Sequence, residues 1–337
     1  MGRWLRGAGR GLAALLGLLG GTWAALVLLH GGSDAGALRR GLALGMALLA
    51  VAAAGSLLAG RGRRVALPAL GAALAAVLVW FASLEPSNGR VWQPDVAQTP
   101  WAEIEGSRVT LHNVRRFEWR TESDFTPRWE TRQVDLDDLK GVDLIASYWM
   151  GDAIAHVMVS FVFDHALPLT VSIETRKEAG EAYSALLGFF RRYELVYVVS
   201  DERDLIGLRT NVRADPPEDV HLYRTSMPAE NARRLFLEYL RQMNSLHEQP
   251  AFYDTAATNC TTVAMINTRV NGSVSLLNWK ILLSGYLPQL AYERGRLDRQ
   301  LPFEELHRVS RINDAARAAG LEAPDFSRRI REGLPVP

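Results

Sequence analysis

The sequence predicts an α+β fold, an antiparallel sheet packed on helices, preceded by three transmembrane helices. Three observations predict it. The first 84 residues contain three apolar runs without a charged side chain, at about Gly11–Leu29, Gly41–Ala59 and Val65–Leu84. Beyond them, short strand-like segments recur between turn signals. Last, Pro228–His247 carries Ala232, Leu235, Phe236, Tyr239, Leu240, Met243 and Leu246 at spacings of three and four, the period of an amphipathic helix.

Charge divides the chain in the same way. All 337 residues together carry a net +1, which gives no nucleic-acid signal. Residues 1–84 hold eight arginines against one acid, Asp34, so the remainder is net acidic. This split excludes a single uniform soluble domain. The length allows one or two domains. We divide the chain into a membrane anchor (1–84), a juxtamembrane linker (85–107), a soluble domain (108–300) and a C-terminal tail (301–337).

Each apolar run is close to the roughly 20 residues that cross a bilayer core. A cleaved signal peptide would share the basic start, but its apolar core is shorter, and two further spans follow here. Arg3, Arg6 and Arg10 precede the first run, and Arg61, Arg63 and Arg64 separate the second from the third. Only Arg39 and Arg40, offset by Asp34, lie in the first loop. Positive-inside bias puts the N-terminus and the Arg61–Arg64 loop in the cytoplasm and everything after Glu85 on the outer side, which in a bacterium, with the inner membrane as the expected location, is the periplasm or cell exterior.

In the soluble part, Val109–Trp119 and Trp129–Leu136 read as strands around a turn at Ser123–Pro127. Arg115, Arg116, Arg120, Arg128 and Arg132 decorate this ribbon as a solvated face, with lipid headgroups as the sharper alternative. His156–Phe163 and Leu169–Thr175 read as a hairpin closed by Asp164–Pro168. A helix over Glu178–Arg192, strands at Glu194–Ser200 and Val220–Arg224, and helical texture at Thr261–Thr268 and Trp279–Leu290 complete the pattern. Asp201-Glu202-Arg203-Asp204 reads as a solvated turn, and the tail from Leu301 as frayed.

The single cysteine, Cys260, excludes an internal disulfide framework and a multi-cysteine zinc site. Thr258 and Asn259 are good N-cap residues, so Cys260 falls in the first turn of a helix, where N–H groups and the dipole favour a thiolate. The same donors, with Asn259 and Thr261 as support, suit a developing oxyanion. A buried structural thiol is the competing reading, but an unpaired cysteine in an oxidising compartment risks misoxidation. A thiol nucleophile needs a base. Of seven histidines, His30, His165, His247 and His307 fall in loops, helix ends or the tail, and His112 and His221 in polar strands. His156 opens an apolar strand. The hairpin register sets it opposite position 174, 175 or 176, and Glu174 there would orient the imidazole as the third member of a triad. The chain has no G-x-S-x-G, H-E-x-x-H or P-loop.

The order His156, Glu174, Cys260 resembles a circularly permuted papain-like (NlpC-type) arrangement. More specifically, Ile173–Glu178, Asn259–Thr262 and Tyr197–Arg209 are similar to segments of the Lnb N-terminal periplasmic domain family, over roughly residues 108–290. The resemblance implies a permuted papain-like fold and a lipoprotein N-acyltransferase-like thiol enzyme. Cys260 would be its nucleophile and His156 its base, with phospholipid as donor and a lipoprotein α-amine as acceptor. The three-span anchor departs from the membrane part of the family's namesake. Two other readings stay open: an envelope peptidase or amidase using the same residues, and a non-catalytic membrane-anchored binding module. Membrane lipid is the expected partner, with a lipoprotein or envelope peptide as substrate. No nucleic acid, organic cofactor or metal is implied.

Overall fold

The computed structural model of the chain describes residues 2–32, 36–272 and 278–337, with side chains from Gly7 onward. The side chains of Arg3 and Arg6, and all of Asp34, which entered the charge reading, lie outside it. The chain forms two compact units.

The first unit holds the anchor, with residues 182–194 and 252–255. Helices α1 (Gly2–His30), α2 (Ala37–Ala59) and α3 (Arg63–Ala82) are each long and apolar enough to cross a membrane. Their shared seam is built of small and branched residues, among them Ala24, Val27, Ala43, Met46, Ala50, Leu70 and Val77. Without a hydrophobic drive between helices in lipid, close packing of small residues is what holds such a seam. Leu12, Leu16, Leu44, Leu48, Val51 and Val79 face outward, as lipid-facing side chains do. At the far end of α1, Arg39 donates to the carbonyls of Leu28 and Gly31 and lies 5.0 Å from the Trp80 ring, so a cation covers a helix C-terminus.

The second unit is an eight-stranded sheet with helices. In chain order its elements are β1 (Trp101–Glu105), β2 (Arg108–Arg115), a small hairpin of β3 (Glu118–Trp119) and β4 (Phe125–Thr126), β5 (Trp129–Asp135), β6 (Leu139–Tyr148), β7 (Ala155–Phe163), β8 (Leu169–Arg176), β9 (Glu194–Ser200), α4 (Glu202–Gly207) and β10 (Asp219–Arg224). Helices α5 (Ala229–Glu248), α6 (Cys260–Asn267), α7 (Trp279–Leu282), α8 (Leu287–Glu293), α9 (Phe303–Val309), α10 (Asn313–Ala319) and α11 (Phe326–Arg329) follow. The strands run in the order β1-β2-β9-β8-β7-β6-β10, and β5 pairs with β2. The pairs β1–β2, β2–β5, β6–β7, β7–β8 and β6–β10 are antiparallel, whereas β2 meets β9 through a single parallel bridge, Arg115 to Ser200. The expected antiparallel sheet on helices is therefore present, behind three membrane-crossing helices.

Helix α5 packs its predicted apolar stripe on the sheet. Phe236 lies 4.8 Å from Phe161, and Tyr239 lies 5.5 Å from Phe161 and 5.8 Å from Tyr197, ring centre to ring centre. A separate core joins Ile145, Met158, Val196 and Val198 of the strands to Ile206, Ile312, Ala316, Phe326 and Ile330.

Several expectations need correction. Residues 85–107 are not a plain linker, because Val96 enters the core and β1 extends the sheet. The tail is not frayed: α9–α11 fold, and Phe326 and Ile330 are buried. Strand β6 had no sequence signal, because Lys140 and Asp143 interrupt its alternation. Asp143 is nonetheless buried, its charge met by Arg224 and Arg331. Glu178–Arg192 is helical only as a 3-10 turn at Leu187–Phe190, ended by Arg191 in the left-handed region (φ 53°).

The Asp201–Asp204 run is not a solvated turn. Asp201 caps α4 through its side chain, and Glu202 and Asp204 are buried. Nor is Arg115 part of a solvated face. It is 3% exposed and grips the Asp204 carboxylate through Nε and Nη2, at 3.0 and 2.6 Å. Asp204 also accepts from the Phe117 N–H and Trp119 Nε1, at 2.8 and 3.0 Å. Four donors on one buried carboxylate tie α4 to the β2–β3 turn. Removing one partner of such a pair leaves an uncompensated buried charge. We therefore expect Asp204→Ala to lower the unfolding free energy by about 3–5 kcal/mol. Asp124→Ala, at an exposed pair with Arg120, should cost less than about 1 kcal/mol in the same denaturant titration. Equal effects would refute this assignment.

Candidate active site

Cys260 is the first residue of α6, and Asn259 is its N-cap. The Asn259 Oδ1 accepts from the N–H groups of Thr261 and Thr262, both at 2.9 Å, and the Thr262 hydroxyl accepts from the Asn259 N–H at 3.0 Å. This reciprocal capping box starts the helix at the thiol. It also corrects one expectation. The N–H groups of Thr261 and Thr262 are taken by the cap, so they do not face a substrate. Cys260, as the first helical residue, contributes an N–H with no intrahelical acceptor. Thr261 supports the thiol through its hydroxyl, 3.8 Å from Sγ.

His156 is the second residue of β7. The β7–β8 ladder pairs Met158 with Ser172, Val159 with Val171, Ser160 with Thr170 and Phe161 with Leu169. Continued two residues, this register sets His156 opposite Glu174, the first of the three positions expected. The side chains meet. His156 Nε2 lies 2.6 Å from Ser172 Oγ and 3.3 Å from Glu174 Oε1. The Ser172 hydroxyl donates to Glu174 Oε1 at 2.6 Å, so towards the imidazole it can only accept. A proton therefore sits on Nε2, and Nδ1 is left as the basic nitrogen.

Sequence reasoning missed Ser172 and Arg209. Ser172 shares the face of Glu174 by strand alternation, which was a usable signal. Arg209 follows α4 in a π-helical turn, Leu208–Val212, and its buried guanidinium donates to Glu174 Oε1 at 3.0 Å. Its Nε lies 3.6 Å from Glu218, which also pairs with Arg213. No periodicity predicts that reach, although Arg209 ends the Tyr197–Arg209 segment singled out by resemblance.

The charges of the site support one another. Burial alone would lower the His156 pKa, but the Glu174 carboxylate and the Cys260 thiol outweigh it and push it up to about 9. Burial likewise raises the Cys260 thiol. The hydrogen bond and charge of His156, with the Val157 N–H and the Thr261 hydroxyl, more than reverse that, and the thiol lies below its ordinary value. Burial opposes ionisation of Glu174, but His156, Arg209 and Ser172 hold it well below the usual carboxylate range. The arrangement favours a thiolate beside an imidazolium.

Three of the predicted residues, Cys260, His156 and Glu174, thus meet, although up to 104 positions separate them in the chain. Residues 125–285 match the family model for the Lnb N-terminal periplasmic domain. That is the family the sequence resembles, and the Lnb-type region contains His156, Ser172, Glu174, Arg209 and Cys260. No curated protein and no solved structure matches the chain. The three apolar helices and the Lnb-type region together make this a membrane protein with a periplasmic domain.

The sign of the coupling can be tested in the Lnb-type domain. Glu174→Gln removes the charge that raises His156, so the imidazole pKa should fall from about 9 towards its ordinary 6.5. With less imidazolium near neutral pH, alkylation of Cys260 at pH 7.5 should slow by about tenfold, the equivalent of one pKa unit. An unchanged rate would separate Glu174 from the thiol.

Proposed function

We propose that the Lnb-type domain is a membrane-anchored thiol acyltransferase. The observation that carries this reading is the Cys260 thiol at the start of α6, its pKa lowered by the charge of His156, whose imidazole is held from behind by Ser172 and Glu174. It is the nucleophile, base and orienting-group pattern of covalent acyl transfer.

In the proposed reaction the Cys260 proton passes to His156 Nδ1. The thiolate attacks an acyl ester carbonyl, and the tetrahedral oxyanion is held by the Cys260 N–H at the start of α6. Collapse breaks the ester C–O bond, His156 protonates the departing alcohol, and a thioester remains on Cys260. An amine then attacks the thioester, giving up its proton to His156. The amide leaves, and the thiolate–imidazolium pair is restored. Glu174 stays ionised throughout and stabilises the imidazolium.

The donor we assign is a phospholipid and the acceptor a lipoprotein α-amine. The likeness to the Lnb family and the three spans support this choice. Positive-inside bias supports a cytoplasmic N-terminus and Arg61–Arg64 loop, and with the likeness to a periplasmic family we assign the chain to a bacterial inner membrane with the Lnb-type domain in the periplasm. Water as acceptor would turn the same chemistry into hydrolysis of an envelope peptide or ester.

The first test is the pH dependence of Cys260 alkylation in the purified protein, whose single thiol makes the signal unambiguous. The apparent thiol pKa should fall well below the free value of about 8.5 and return towards it in His156→Ala. Incubation with phospholipid vesicles should then leave an acyl mass on Cys260 that an amine removes. Peptide cleavage without acyl-lipid turnover would favour the peptidase. Full activity of Cys260→Ala in cells would overturn both enzyme readings in favour of a binding module.

A further inference from the structure

The first unit contains a segment that none of this chemistry uses. Ala182–Phe190 is nine residues long and carries no charge. Its inward side is fixed to the ends of the spans. Phe190 is buried among the apolar residues of α1–α3, and its ring lies 6.0 Å from that of His30. The following Arg191 donates to the carbonyls of Phe81, Ala82 and Leu84, at 2.8, 3.3 and 3.4 Å, where α3 ends. Its own carbonyl accepts from the Gly32 N–H at 3.2 Å, and Arg192 donates to the Gly32 carbonyl at 3.0 Å, just past the end of α1.

The segment is also braced from behind. The Tyr253 N–H donates to the Tyr193 carbonyl at 2.9 Å, and the Thr255 hydroxyl to the Ala185 carbonyl at 2.7 Å. Gly188 has no room for a side chain, since a Cβ there would lie 2.2 Å from Thr255 Oγ1. What this leaves on the outside is apolar: Tyr183 is 51% exposed, Leu186 55% and Phe189 45%.

Single exposed apolar side chains are ordinary on a protein surface. Three within seven residues of an uncharged run, at the level where two membrane-crossing helices end, are not. The ends of such helices mark the boundary between acyl chains and headgroups, the depth at which aromatic and aliphatic side chains anchor. We propose that Ala182–Phe190 is an interfacial anchor, with Tyr183, Leu186 and Phe189 inserted among the lipids of the leaflet at this end of the spans.

The proposal is independent of the thiol chemistry and is tested without it. In a Cys260→Ser background, the full-length protein carries one cysteine at a time, Leu186→Cys or Phe189→Cys, labelled with an environment-sensitive fluorophore. Leu44→Cys on the exposed surface of α2 and Arg61→Cys in the α2–α3 loop give the lipid and water references. The protein is reconstituted in phosphatidylcholine vesicles with nitroxide lipids, and iodide serves as the aqueous quencher. Nitroxide lipid should quench at 186 and 189 several-fold more than iodide does, as at 44. Quenching dominated by iodide, as at 61, would overturn the proposal. So would protection from both quenchers, which would mean that protein covers the patch. Tyr183→Cys provides a third position should either substitution disturb the fold.

Discussion

The β7–β8 register is the constraint on which the candidate site depends. It is fixed by the pairs Met158–Ser172 through Phe161–Leu169, and it puts the polar side chains of β8 on the same face as His156. Side-chain direction alternates along a strand, so a slip of one residue would turn His156 away from Ser172 and Glu174. The apolar residues prevent that slip. Phe161 packs on Phe236 and Tyr239 of α5, whereas Met158 belongs to the opposing core with Ile145 and Val198. Both faces of β7 are buried, so a slip of one residue would turn Phe161 away from Phe236 and Tyr239 and set Ser160 against them.

The interior also carries full charges, in alternation. Glu174 is followed by Arg209, then Glu218, then Arg213. Arg331 joins Glu202 and Asp143, and Glu202 also accepts from Ser160 at 2.5 Å. Buried ion pairs are weak sources of net stability, because desolvation offsets much of their attraction. Their effect here is geometric. Arg209 donates to the same Glu174 oxygen that faces His156 and so restrains the carboxylate that orients the ring.

What could be read in the sequence follows from which interactions are local. The three spans, the α5 stripe, the β7–β8 hairpin and the start of α6 at Cys260 are set by periodicity and capping within a few residues, and all were legible. Strand β6 was not, because Asp143 breaks its pattern and its compensation comes from Arg224 and Arg331, 81 and 188 residues away. The Asp201–Asp204 run failed for the same reason. Four polar residues in a row look solvated until Arg115, Arg331 and the Trp119 indole arrive from elsewhere. Glu178–Arg192 failed differently: its apolar spacing resembles a helix face, but those side chains serve a folded-back loop on the spans. Within the site, His156, Glu174 and Cys260 could be found from residue chemistry, and Arg209 could not.

The thiol reaches His156 through apolar packing rather than polar attraction. Val157, next to His156 in β7, points to the opposite face and joins Met265 of α6, Ile281 of α7 and Leu287 and Leu290 of α8 in one buried cluster. The turn before α8 is pressed onto the β6–β7 connection so closely that Gly285 could not carry a side chain, because a Cβ would meet the Asp152 carbonyl at 2.0 Å. Tyr148 donates to the Gly285 carbonyl at 2.8 Å, and the Ala155 N–H to Ser284 Oγ at 3.0 Å, so the contact is fixed in direction as well as in depth. These contacts bring the start of α6 beside the start of β7. The Val157 N–H then helps to hold the Cys260 sulfur while the Val157 side chain holds its helix. A residue without chemistry of its own thus couples the apolar core to the nucleophile. That coupling is why a hairpin and a helix about 100 residues apart can bring a thiol and an imidazole into one site.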